Sequence, residues 1–112
     1  MYKVNEQEVD PVEVEKGITI QTLIAPDDGA PNFAMRLFKV APHAHTPLHR
    51  HLWEHEVFVL RGDGLLKYEG KEYAIGAGDA ILVPAEAEHN FRSVGAGELA
   101  FICVIPNSGA RG

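Results

Sequence analysis

The chain is poor in several things, and each shortage excludes something. It has one cysteine, Cys103, in 112 residues. That rules out an intrachain disulfide and any zinc site built from several thiolates, and nothing in the chain asks for an oxidising compartment. Bases are outnumbered, ten against sixteen acids, for a formal charge of −6. Nucleic-acid binding needs a basic stripe, and an anionic membrane surface needs the same sign of charge, so neither partner is expected. Long apolar runs are missing too. The longest, Leu99 to Pro106, falls far short of a bilayer span. The first residues, Met1-Tyr2-Lys3-Val4-Asn5-Glu6, contain no apolar signal region, so the expected location is cytoplasmic. No window of helical length carries a 3.6-residue apolar period.

What remains reads as one all-β domain. The chain is long enough to bury a core without staples, and it shows no repeat, low-complexity tract or linker. Prolines and glycines punctuate it roughly every ten residues. Between them lie short runs rich in Val, Ile, Leu, Phe and Tyr: 18–24, 33–40, 54–60, 65–68, 73–75, 80–83 and 99–105. Glu69-Gly70-Lys71-Glu72 reads as a hairpin turn. Short strands at this spacing predict a sandwich or barrel, and an antiparallel jelly roll leaves few open sheet edges. Residues 1–17 form an N-terminal arm in this reading. Val12 and Val14 alternate as in a strand, and the arm is expected to pair, with its own barrel or with a partner's. Residues 18–106 form the barrel and 107–112 a loose end.

One feature is in excess. Six histidines are present, five of them between His43 and His55. His49 and His51 are two apart. On a strand they would share a face with Cα atoms about 6.6 Å apart, a spacing from which two imidazoles can reach one ion. His55 has the same parity, but a straight strand would carry it roughly 13 Å from His51. It joins only if the chain bends at Leu52-Trp53-Glu54 and re-enters as the next strand. His89 follows Pro84 and is brought in only by closure of the barrel. From the residues alone, a metal site and a set of ordinary surface or core histidines are both open.

The pattern His49-x-His51-x3-His55-x6-Gly62 resembles the first sequence motif of the cupin family, in which two histidines and a glutamate precede a glycine turn. Gly78-x5-Pro84-x4-His89 is similar to the second. The chain departs from those motifs at His43 and Glu86, which replace glycines, at Ser93, which replaces an asparagine, and at His55, which replaces the glutamate. Glu56 is not the missing carboxylate by count. Six residues on from His55 stands Gly62, and His55 shares parity with Val57 and Val59. Together with Ala30-Pro31-Asn32-Phe33 and Met35-Arg36-Leu37-Phe38, the chain resembles small prokaryotic single-domain cupins with a four-histidine site.

That resemblance implies His49, His51, His55 and His89 as metal ligands and manganese as the expected ion. Iron, nickel, zinc and copper also suit imidazole, and manganese binds most weakly of this set in the affinity order. It implies an oxidoreductase of dioxygenase type, with dioxygen or a peroxide and a small organic molecule as reactants. The alternatives are a non-oxidative isomerase or decarboxylase, and a barrel that binds a metabolite or metal without turnover. A homodimer is expected as well. Four neutral ligands would leave a divalent ion its full charge and favour an anionic guest.

The same parity arguments outline a pocket. Phe101, Cys103 and Ile105 share one strand face, which the resemblance turns toward the metal. Cys103 then serves as a wall, or simply as a buried inert thiol. Arg36 and Phe38 share another face. An arginine inside a barrel needs an anion, so Arg36 is expected either to hold a substrate carboxylate or to pair with an acid such as Glu54. Phe91, two residues past His89, completes the apolar wall.

Overall fold

Nine strands build the protein. They are β1 (Val12–Glu15), β2 (Ile18–Ile24), β3 (Phe33–Val40), β4 (His55–Arg61), β5 (Asp63–Tyr68), β6 (Lys71–Gly76), β7 (Ala80–Val83), β8 (His89–Ser93) and β9 (Leu99–Pro106). The structure is a computed structural model that describes residues 1–111, with side chains through residue 109. A six-stranded sheet in the order β1-β2-β3-β9-β4-β7 faces a three-stranded sheet in the order β6-β5-β8. All of the pairings are antiparallel. This is the all-β barrel expected from the strand spacing.

Alternation sets the two faces. In β4, His55, Val57 and Val59 are buried while Glu56 and Phe58 are exposed, as their shared parity predicts. The core joins both sheets: Val40, Val59, Val83, Leu99, Phe101 and Ile105 of the larger sheet, all 1% exposed or less, cluster with Leu66, Ile75 and Phe91 of the smaller one. The hairpin between β5 and β6 turns on two residues, Glu69 and Gly70, both with positive φ. A turn with left-handed backbone at both central positions matches the twist of the strands it joins. Gly62, between β4 and β5, has φ +92°. A Cβ there would strike Glu98 O and stand 2.8 Å from Leu99 Cα, so the position admits only glycine.

The chain's ends are tied down more than the sequence suggested. The arm begins with a 3-10 turn at Glu6–Glu8, capped by Asn5. Gln21 Nε2 donates to the carbonyls of Glu6 and Val9, both at 2.8 Å. β1 then pairs with β2 of the same chain. At the other end a short helix, α1 (Asn107–Arg111), follows β9 directly. Residue 107 therefore does not begin a loose end. Asn107 is buried, its side chain donates to Ala30 O at 2.7 Å, and Gly109 lies against the Trp53 indole. An amide in reach of a bare carbonyl, and a residue without a side chain opposite a large ring, supply the anchoring that composition alone did not show.

Candidate metal centre

His49 and His51 do not lie on a regular strand. They sit in the irregular segment before β4, and the chain bends at Leu52-Trp53 before His55 opens the strand. The anticipated bend is therefore present, and it places His55 back beside the pair. A two-residue bridge joins His49 to His89: His89 N donates to His49 O at 3.0 Å and His49 N to His89 O at 3.3 Å. Closure of the barrel thus reaches His89 through a backbone ladder.

Three of the rings gather, and the fourth adjoins them. Ligand-capable nitrogens of His49, His51 and His89 all lie within 4.8 Å of one another. The His55 ring adjoins them, its centroid 4.9 Å from His51 and 5.1 Å from His89. Nε2 of His49 faces Nε2 of His51. His89 Nδ1 lies 2.8 Å from Ala87 O. A carbonyl accepts only, so Nδ1 carries the proton and Nε2 keeps a free lone pair. His51 is also stacked on Trp53, with ring centroids 4.7 Å apart.

Burial favours the neutral form of His51, His55 and His89. Desolvation, and then the charges of neighbouring histidines, bring the His51 pKa down to about 4 and that of His55 to about 3. His89 is also lowered by desolvation, opposed by its bond to Ala87. Arg36 adds to the depression at His51 and His55. Neutral imidazoles offer lone pairs, which metal ligation requires. The Nδ1 of His55 is buried and has no hydrogen-bond partner, an uncompensated polar atom of the kind a ligand or ion satisfies.

The rings open onto a cavity of about 240 Å³. Arg36, Phe38, Phe91, Phe101 and Cys103 all line it. Ile105 does not: it is 1% exposed and packs in the core. Its parity is right, but two residues along β9 from Cys103 carry it past the cavity's end. Of the two readings of Arg36, the pairing with an acid such as Glu54 is absent among the described residues, where the ion pairs are Lys39–Glu6, Arg50–Glu88 and Arg61–Glu98. Ile18, Ile20 and Thr46 line the cavity without having been anticipated. The two isoleucines share parity on β2, a signal that was available. Thr46 was not so marked. Its hydroxyl accepts from Phe91 N at 2.9 Å and fixes the start of the histidine segment against β8. His43 and His45 border a separate, open surface hollow.

Comparison with known proteins agrees with this architecture. The chain is 34% identical to the polyketide cyclase RemF from Streptomyces resistomycificus, with a TM-score of 0.89 over 96% of this chain and 80% of that one. It is 34% identical over 74 residues to an oxalate-binding protein of Thermotoga maritima, covering 62% of this chain and 61% of the relative. It is 31% identical over 71 residues to a 1-methylthio-D-xylulose 5-phosphate methylsulfurylase of Rhodospirillum rubrum, covering 63% of this chain and 46% of the relative. The chain thus spans about half to three-fifths of the curated relatives it matches. No helix among the described residues is long and apolar enough to cross a membrane. Residues 36–105, more than half of the chain, match the family described as Cupin domain, and the chain belongs to the cupin family.

Proposed function

We propose that this cupin is a metal-dependent enzyme acting on a small organic substrate, with a divalent transition metal held by His49, His51, His55 and His89. The observation that carries the reading is the meeting of imidazoles from separate stretches of backbone at one cavity, with no carboxylate among them. The donor set fits such an ion. His89 is locked with Nε2 free, His51 and His55 stay neutral well into acid, and His55 has a buried nitrogen to satisfy. Manganese is the ion implied by the family resemblance, while zinc, nickel and copper have the greater affinity for imidazole. When bound, the ion would supply Lewis acidity undiminished by any negatively charged ligand. The protein's own residues bind and orient the substrate. Phe38, Phe91 and Phe101 exclude water, and Ala87 fixes the His89 ring.

Two finer readings differ in their use of oxygen. Oxidation by dioxygen or a peroxide is favoured by the scarcity of bases: Glu15, an exposed residue, is the one carboxylate in the lining, and proton-transfer chemistry needs a positioned base. Ring closure or isomerisation without oxygen is favoured by the likeness to the polyketide cyclase. Elemental analysis of the wild type and of His→Ala variants at the four positions tests the metal reading. A wild type that takes up no metal, or uptake that survives loss of both His49 and His89, overturns it. An oxygen electrode, with enolisable ketones supplied to the metal-loaded protein, separates the two chemistries.

The reading includes a homodimer. Phe58 and Leu82 stand exposed on adjacent strands of the six-stranded sheet, at 47% and 60%, where an apolar patch calls for a cover. Sedimentation of the Phe58→Lys variant should give a monomer if this face is the interface.

A further inference from the structure

We infer that Arg36 is the anion receptor of the cavity, and that the substrate is a small carboxylate with a flat apolar body. The choice of substrate class deepens the metal-site reading and rests on it. The role of Arg36 stands on its own observations.

Arg36 sits mid-strand in β3, opposite Cys103 on β9, and its side chain lines the same cavity as the four histidines. A guanidinium has five N–H donors. Here Nη2 donates to Cys103 Sγ at 3.7 Å, a weak acceptor. The Cζ lies 4.9 Å from the centre of the Phe38 ring. Nε is buried with no partner at all. Burial pushes the Cys103 thiol up, so it remains a neutral group and no counter-ion. Neither Glu15, in the lining of this cavity, nor Asp10, beside a surface hollow that Arg36 also borders, forms an ion pair with it. A partly buried cation without an anion is costly, and it is the planar fork that carboxylates fit with two parallel hydrogen bonds.

The histidines sharpen the argument. Four uncharged ligands leave a divalent ion its whole charge, and the guanidinium places another positive charge in the same cavity. The two would repel unless an anion lay between them. Size and walls then narrow that anion. About 240 Å³ is below the usual range for drug-sized ligands, roughly 300–1,000 Å³. Phe38 and Phe101 are stacked, with centroids 5.1 Å apart and planes within 8°, and Phe91 joins Phe101 at 4.6 Å. Flat rings favour a flat guest.

The test uses the metal-free chain, stripped with chelator and then dialysed, and benzoate as the probe. Benzamide is its neutral counterpart of the same shape. Nitrogen NMR follows Arg36 Nε–H during each titration. The expected result is that benzoate shifts that resonance, that benzamide binds about tenfold more weakly or worse, and that Arg36→Met loses benzoate binding by about tenfold or more, as expected for loss of a charge-assisted pair. Arg36→Lys should fall between. Metal uptake by Arg36→Met is measured in parallel and should be kept, which shows that the variant is folded. An Arg36 resonance that does not respond up to the solubility limit of benzoate, or equal benzoate binding by wild type and Arg36→Met, overturns the inference whatever the metal does. Should Arg36→Met fail to fold, the wild-type resonance and Arg36→Lys still decide it. Benzoate binding at Arg36 in a chain that takes up no metal sustains this role and refutes the metal-site reading instead.

Discussion

Acid should destabilise the metal-free protein well above the pH at which carboxylates protonate. The cause is the set of histidines that folding holds neutral. An unfolded histidine titrates near 6.5, whereas folded His51 and His55 titrate at about 4 and about 3. A folded pKa below the unfolded one means that the stabilisation is complete above pH 6.5. It is lost as pH falls from 6.5 toward 4 for His51 and toward 3 for His55, because only the unfolded chain takes up the proton. Between pH 7.5 and 5, one well-shielded ring accounts for about 2 kcal/mol. His55, 5% exposed, counts in full. His51 has an open face, so solvent screening reduces it to about half that value. The sum, about 3 kcal/mol, is a large share of the roughly 5–15 kcal/mol that holds a domain together. It should lower the melting temperature by about 10 °C. His89 acts in the same direction. Urea unfolding of the chelator-treated protein from pH 7.5 to 5 measures the slope, and the His55→Leu variant isolates one ring. Its curve should be flatter by about 2 kcal/mol over that range. A variant with the wild-type slope would show that His55 is not held neutral by burial, and the charge argument for the site would fail with it.

Other outcomes follow from the same structure. Zinc at about one hundred times its dissociation constant should raise stability by about 2.7 kcal/mol and make the loss in acid steeper, since protons and metal compete for the same nitrogens; calorimetry with and without zinc reads both. His55→Glu should still retain metal on elemental analysis, but the carboxylate cancels one charge, so the loaded variant should bind benzoate less tightly than the loaded wild type. Gly62→Ala should cost about 3 kcal/mol or more, because its Cβ would meet the Glu98–Leu99 backbone at a positive φ. Glu86→Gly, in contrast, should stabilise by about 0.5–1 kcal/mol in urea unfolding, because Glu86 holds φ +65° against the steric cost of a side chain in left-handed backbone.

The barrel was legible because its signals are local. The runs 18–24, 33–40 and 80–83 are strands to the residue, since alternation, β-branching and bounding turns agree there. β8 was less visible. His89-Asn90-Phe91-Arg92-Ser93 is polar at every position but Phe91, and it becomes a strand by pairing with β5 along its length. α1 was hidden for a related reason: Asn107 is ordered by a carbonyl at Ala30, 77 positions away. Contacts at that separation leave no periodic trace in the chain.

The site was legible in its members and not in its mechanics. Counting residues selected His55 over Glu56, and burial agrees, with His55 turned inward and Glu56 outward. Yet the strand spacing first used to join His49 and His51 is not what brings them together. An irregular segment does that, bridged to His89 and fastened by Thr46. The two glycine replacements show how such a segment keeps its path. His43 at φ +69° and Glu86 at +65° hold the left-handed conformation that glycine would have adopted freely. The backbone route is therefore set by the pairing around it, not by the residue at the turn. A side chain forced into that conformation stores strain of about 1–2 kcal/mol, and the neighbouring bonds that hold it there, His43 N to Ser93 O at 3.0 Å and Glu86 N to His51 O at 2.6 Å, run directly to the histidine segment and to the end of β8. Strain and ligand placement are thus coupled through the same hydrogen bonds. Relieving one by substitution should leave the other in place only while those two bonds remain.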